Sequence, residues 1–331
     1  MSTIDDVARV AGVSKSTVSR VILGGNKVKP ITLELVRRAI NELNYAPNTA
    51  ARSLASKRTG NIAVVSGYMF NDPFFAVIAE EIYNTMMERN YNTLLFTYKL
   101  DTERLKEPSE IFHGMADAFV YLGHNSVSPE QLQRVQHRGF ATAVFKTGIH
   151  AEDTICADID NIQGAYSGTE FLIRQGHRMI ALIGGVAGDY ENEDRIEGYR
   201  RALRAHGIPF NDRLIVNCQY SYNDALAMTG QILSLGVTAV FCLNDMMAHG
   251  FIRGVTNMGM RVPEDISVLG FDDIVFKNFD SFIELTTVRQ PLAEMGRFLA
   301  EAVLTQIETG HCGGNRMFPV EIVIRKTVLH R

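Results

Sequence analysis

The chain has 331 residues, 46% of them apolar, with 33 Lys and Arg against 37 Asp and Glu and a formal net charge of −4 at pH 7. That apolar content is enough to bury a large core, and a chain of this length normally divides into more than one domain. It contains no 18-residue apolar run and no apolar signal-peptide core, so no membrane span or secretion leader is expected and the location expected is cytoplasmic.

Charge is unevenly spread. Residues 1–60 carry ten Lys and Arg against four acids, a net +6, whereas the remaining 271 residues carry 23 against 33, a net −10. A basic head on an acidic body is the pattern of a nucleic-acid-binding segment joined to a domain with another task. It also speaks against a body that grips DNA itself.

The head reads as three short helices. Ile4, Val7, Ala8 and Ala11 recur at three- and four-residue spacing, the apolar stripe of an amphipathic helix, and Gly12 ends it. Ser14 is a good N-cap for a second helix, with Val18, Val21 and Ile22 inward and Lys15, Ser16, Thr17, Ser19 and Arg20 outward. That outer face is short, polar and basic, as phosphate and major-groove contact requires. A third helix fits residues 31–44, with Leu35, Val36, Ala39, Ile40 and Leu43 inward and Arg37 and Arg38 outward. Residues 1–46 thus make a helix-turn-helix head. Pro47 interrupts helix continuation, and in 47–60 Ala50, Ala51, Leu54 and Ala55 form an apolar face too small to fold alone.

From Asn61 onward apolar strands alternate with helical segments. IAVVSGY (62–68) is followed by the amphipathic PFFAVIAEEIYNTMMERN (73–90), then come NTLLFTY, AFVYL, ATAVF, MIALIGG, AVFCLND and ISVLGFDD. Buried strands separated by helices predict parallel, doubly wound sheets, and the length suggests two such lobes. Ligand is then expected between them, outside the carboxyl ends of the strands.

Those strand ends supply candidate ligand contacts: Asp272 after ISVLGF, Asn244 after AVFCL, Arg195 in the helix after IALIGG, and Phe74 and Phe75 after the first strand. Tyr68, Tyr220 and Gln290 are weaker additions. Carboxylate, amide, guanidinium and ring faces together suit a polyhydroxylated molecule. Asn and Asp after a strand also serve as turn or cap residues. Lys146, at the end of ATAVF, has two readings. Facing the ligand opposite Arg195, it favours an anionic effector such as a sugar phosphate or sugar acid. Alternatively it points to solvent or pairs with Asp158 or Asp160.

Cys156, Cys218, Cys242 and Cys312 are scattered without a CxxC pair and read as buried free thiols; no metal or cofactor is expected. The glycine-rich GGVAG (184–188) lacks both GxGxxG and GK[ST] spacing. With no GxSxG elbow, no HExxH helix and nine dispersed histidines, an enzyme is not expected.

TIDDVARVAGVSKSTVSRVI (3–22), INELNYAPNTAARSLASK (40–57), LND (243–245) and VPEDISVLGFDD (262–273) occur in order along the chain. Through them the sequence resembles the LacI/GalR family of bacterial transcription regulators essentially end to end. The resemblance implies an α/β fold with a helix-turn-helix head and a two-lobed, periplasmic-binding-protein-like core at 61–331. Lobe 1 takes about 61–160 and 291–321, lobe 2 about 161–290 and 322–331, with crossovers near 159–162, 289–291 and 320–323. It makes 47–60 a hinge that orders when two copies meet on DNA, with Leu54 as a minor-groove wedge, Ala51 facing its counterpart and Arg52 near the backbone.

The implied DNA contacts are Thr3, Ser14, Lys15, Ser16, Thr17, Ser19, Arg20, Asn26, Lys27, Tyr45, Asn48, Ala51, Arg52 and Leu54. The positions of Arg195, Asn244 and Asp272 hold sugar or nucleobase effectors in the family. The expected partners are a palindromic operator, a sugar-like effector and a second copy of the chain. The dimer surface is expected to include the first helix of the body, around Phe75, Ile78, Ile82 and Met86, some of which are core residues. The ending VIRKTVLHR has no leucine heptad tail, so a dimer rather than a tetramer is expected. A repressor of carbohydrate use is the reading that follows, against a cytosolic sugar receptor or an architectural DNA-binding protein.

Overall fold

A computed structural model describes residues 2–22, 28–46, 58–67, 72–97, 107–123, 126–149, 154–274 and 283–331. It separates into two compact units, residues 1–60 with 114–117, and residues 61–113 with 118–331.

The first unit holds α1 (Ile4–Ala11), α2 (Lys15–Ile22) and α3 (Pro30–Glu42). Thr3 starts α1 with a reciprocal cap: its hydroxyl accepts from Asp6 N at 3.3 Å, and its own amide donates to Asp6 Oδ2 at 2.9 Å. Gly12 ends α1 in the left-handed region at φ 63°, where a Cβ would be strained. Ser14 Oγ accepts from Thr17 N at 3.2 Å, the cap expected for α2. Val7, Ala8, Ala11, Val18, Val36 and Ala39 are the buried core, flanked by Ile4, Val21, Ile22, Ile40 and Leu43. Leu35 departs from expectation and is exposed. Val36, Ala39, Ile40 and Leu43 already define the inward stripe at i, i+3, i+4 and i+7, and a residue one position earlier is rotated off it by about 100°.

The second unit contains two six-stranded sheets. The first has the order β11-β5-β4-β3-β1-β2 and is parallel throughout: β1 (Asn61–Ser66), β2 (Asn92–Thr97), β3 (Ala118–Leu122), β4 (Ala141–Phe145), β5 (Ile155–Ile159) and β11 (Asn315–Phe318). Helices α4 (Pro73–Glu88), α6 (Pro129–His137) and α11 (Leu292–Thr309) pack on it, and α5 (Pro108–Ile111) is a single turn. The second sheet has the order β12-β10-β9-β8-β6-β7, from β6 (Ile180–Gly184), β7 (Ile215–Asn217), β8 (Ala239–Cys242), β9 (Ser267–Asp272), β10 (Thr286–Arg289) and β12 (Glu321–Val323). Only β12 pairs antiparallel there. Its helices are α7 (Asn161–Arg174), α8 (Tyr190–Ala205), α9 (Tyr222–Ser234) and α10 (Asp245–Asn257).

The chain passes between the sheets three times, after β5, after β10 and after β11. The central strands are buried end to end, as sheets covered by helices require. Strands β5, β7, β10, β11 and β12 go beyond the seven apolar runs read from the sequence. β10 is hidden because Thr286 and Thr287 are fully buried polar residues whose hydroxyls bond Arg325 N and Asp245 Oδ1 instead of water. β11 is mostly exposed.

Phe75, Ile78, Ile82 and Met86 of α4 are all core residues, so the surface expected of them is not theirs to offer. Tyr83 and Met87, on the outer side of the same helix, are the exposed pair, 49% and 55% accessible. Cys156, Cys218 and Cys242 are buried free thiols and Cys312 is half-buried.

Candidate functional site

A cleft of about 610 Å³, counted with its open mouth, lies between the two sheets of the second unit. The lobe of the first sheet supplies Asp72, Phe74, Phe75 and Gly123, and the lobe of the second supplies Asp189, Glu191, Arg195, Tyr220, Asn244, Met246, Asp272 and Ile274. Six of the nine residues expected from the sequence therefore meet there. Tyr68 lies outside the described residues.

Each is positioned by the start of a helix or the end of a strand. Asp72 caps α4 by accepting from Phe74 N at 2.9 Å, which sets Phe74 and Phe75 on the first turn with their rings edge to face at 5.1 Å. Asn244 caps α10 through Met247 N at 2.8 Å while still facing the cleft, so the cap role and the site role coincide. Tyr220 donates to Asp189 Oδ2 at 2.8 Å. Lys146, Tyr220 and Asp272 have φ values of 50°, 56° and 117°, a conformation that non-glycine residues rarely hold. Two of them, Tyr220 and Asp272, line the cleft, in keeping with the clustering of backbone strain at functional positions.

Arg195 is buried, and each of its three guanidinium nitrogens donates a hydrogen bond. Nε donates to Asn161 Oδ1 at 2.9 Å, Nη1 to Leu243 O at 2.6 Å and Nη2 to Glu191 Oε1 at 3.2 Å, while the guanidinium lies 4.0 Å from the Phe271 ring centroid. Gln290 stands behind Asp272, donating from Nε2 to Asp272 Oδ1 at 2.6 Å. Lys146 is 1% exposed and does not reach solvent: it is ion-paired with Glu191, with Asp158 Oδ1 3.9 Å away. Asp160 is instead the cap of α7, accepting from Gln163 N at 2.8 Å. Tyr190 donates to Asp158 Oδ2 at 3.1 Å, a second tie between the lobes.

Burial sets the protonation states. It pushes the carboxyls of Asp72 and Asp158 up, Lys146 opposing it at Asp158, and it raises Asp272 well above the ordinary carboxylate range despite the nearby Arg195. Burial also raises the Tyr190 and Tyr220 phenols, which stay protonated donors.

Asp72, Gly123, Asp189, Glu191, Met246 and Ile274 were not anticipated. The strand-end rule that selected Arg195 covers Asp189 and Glu191 as well, since both sit between β6 and Arg195, and Asp72 directly precedes the proline that opens α4. In the glycine-rich 184–188 segment the backbone at Gly185 approaches the Tyr220 ring so closely that a Cβ there would lie 2.1 Å from Tyr220 Cζ.

In the head, Ser14, Lys15, Ser16 and Arg20 are exposed and Thr17 and Ser19 half-buried on or beside α2. Lys15 Nζ lies 2.9 Å from Asp5 Oδ2. Thr3 is a cap and Tyr45 packs against the head core. Asn26, Lys27, Asn48, Ala51, Arg52 and Leu54 lie outside the described residues.

Residues 3–48 match the model of bacterial regulatory proteins, lacI family, and residues 169–328 that of a periplasmic binding protein-like domain. The HTH-type transcriptional regulator CelR of Thermobifida fusca is 32% identical over 338 residues, covering 99% of this chain and 97% of the relative. The chain belongs to the LacI family of bacterial regulatory proteins. The structure of a CelR–cellobiose complex matches this LacI-family chain with a TM-score of 0.70 at 31% identity, covering 99% of this chain and 100% of that one. The lac repressor dimer bound to operator and the anti-inducer ONPF matches at 0.80 and 26%, over 99% of each chain. These LacI-family relatives are transcriptional regulators rather than enzymes.

Proposed function

We propose that this chain is a cytoplasmic, homodimeric repressor of carbohydrate-use genes whose operator affinity is set by a sugar or sugar derivative held in the cleft. The carrying observation is that the cleft takes its aromatic pair, Phe74 and Phe75, from one lobe and Arg195, Tyr220, Asn244 and Asp272 from the other. A molecule bound there touches both lobes, so its binding free energy depends on their spacing and it biases that spacing. Ring faces take the C–H surface of a sugar, and the carboxyl, amide and phenol groups serve its hydroxyls as acceptors and donors. The cellobiose carried by the CelR structure supports the same ligand chemistry.

On the DNA side, one short α2 reads too few base pairs for genomic specificity, so two copies on a palindrome are needed, with Lys15, Ser16 and Arg20 reaching base edges. Residues 47–60 are assigned the hinge role on the sequence resemblance, with Leu54 as its wedge. Tyr83 and Met87 on α4, both exposed, are assigned to the contact between copies. No catalytic role is assigned to any residue.

The test is selection of duplexes from a random library by the full-length protein, followed by mobility-shift titration with a panel of mono- and disaccharides. A palindromic site and at least one sugar that changes its affinity tenfold or more are expected. Enrichment of no sequence, or sugars that bind without altering DNA affinity, overturns the reading.

A further inference from the structure

Among the described residues lining the cleft, four are acids, Asp72, Asp189, Glu191 and Asp272, and only Arg195 is basic. Glu191 occupies a particular place among them. Its Oε1 is shared by two buried cations that come from different lobes: Lys146, following β4, and Arg195, one helical turn further along α8. Lys146 is 1% exposed and the Arg195 side chain 4%, while Glu191 retains 15% exposure and reaches the cleft lining. Arg195 also donates from Nε to Asn161 and from Nη1 to Leu243, and Lys146 has Asp158 behind it and the Phe74 ring centroid at 5.9 Å.

We infer that Glu191 determines ligand specificity: its carboxylate takes up the positive charge of Lys146 and Arg195 and so closes the cleft to anionic sugars, leaving neutral polyhydroxylated ligands as the class accepted. The inference deepens the effector reading above and rests on it for the identity of the cleft as a ligand site. The physical reason is competition for donors. An anion entering this space needs charge-assisted hydrogen bonds, and the two described cations beside Glu191, Lys146 and Arg195, already donate to its carboxylate. A second carboxylate or phosphate beside it meets like-charge repulsion in a partly desolvated site. A neutral sugar pays no such repulsion, and its hydroxyls find acceptors in the same acids.

The same geometry predicts that neutralising Glu191 inverts the preference, because Lys146 and Arg195 would then lose the carboxylate they share, leaving Asp158 as the ion-pair partner of Lys146. The experiment measures calorimetric binding of inorganic phosphate, gluconate and glucuronate, with their neutral counterparts glucose and cellobiose, to the full-length protein and to Glu191→Gln and Glu191→Ala. The wild type is expected to bind no anion measurably in the millimolar range. Each variant is expected to bind phosphate and at least one sugar acid tenfold or more tighter than the wild type, and Lys146→Met added to Glu191→Gln is expected to lower that gain. Two results overturn the assignment: wild type that already binds the anions, or folded variants that bind phosphate no better than wild type. Should one variant fail to fold, the other carries the comparison. Because phosphate reports on the two cations alone, a wild type that binds no sugar at all counts against the effector reading, while the phosphate comparison still decides the role of Glu191.

Discussion

Thr287 donates its hydroxyl to Asp245 Oδ1 at 2.6 Å, and the Ile274 amide donates to Oδ2 of the same carboxyl at 2.8 Å. Asp245 thereby ties the start of α10 to β10 and to the end of β9, directly beneath Asn244 and Ile274 of the cleft. It is buried without an ion pair among the described residues, and burial pushes its carboxyl up to about 7.

A carboxyl near 7 when folded and near its ordinary ~3.9 when unfolded binds more protons in the native state between those values. Its contribution therefore favours the fold at low pH and is lost as pH rises from about 4 to about 7. Urea unfolding of wild type and Asp245→Asn across pH 4–8 checks this. The wild type should lose stability relative to the variant through that window, and a pH-independent difference would contradict it.

Gly185→Ala places a methyl where the Tyr220 ring stands, 2.1 Å from Cζ. The ring must move, breaking its bond to Asp189, at a cost of about 1–3 kcal/mol typical of overpacking. A lowered melting temperature together with a reduced sugar-induced shift is expected, and an unchanged ligand shift would separate Tyr220 from the site.

Arg20 is exposed on the last turn of α2, whereas Arg38 on α3 is paired with Glu34 at 3.3 Å. Arg20→Ala is expected to cost about 1–3 kcal/mol of operator binding and to relax one base position. Arg38→Ala should change affinity by no more than a few-fold. Mobility shifts on the selected operator and its point variants distinguish the two, and equal losses would remove Arg20 from base reading.

Met87→Glu puts a charge on the outer side of α4 beside Tyr83, whose hydroxyl donates to Met87 Sδ at 3.5 Å. The core beneath, Ile78, Ile82 and Met86, is untouched. Sedimentation should shift toward monomer with little change in the unfolding midpoint at high protein concentration. A dimer of undiminished affinity would place the interface elsewhere.

The head was almost entirely readable because its determinants are local: a cap at Thr3, a stop at Gly12, a second cap at Ser14 and stripes at three- and four-residue spacing all act within one or two helical turns. Leu35 is the exception, because an apolar residue one position off the stripe is rotated by about 100° away from the core although its type fits the pattern. In the core, runs such as AFVYL and ATAVF announced buried parallel strands, but TTVR at 286–289 did not, since buried threonines look polar until their partners are known.

Residue order alone thus determined the three-helix head, the alternation that makes two parallel sheets, and the strand ends where a cleft must form, because propensity and periodicity act between near neighbours. Which charges face that cleft was decided only by tertiary structure. Lys146 and Glu191 stand 45 positions apart, and whether the ammonium served an anion, the solvent or a carboxylate depended on the lobes bringing those two side chains together.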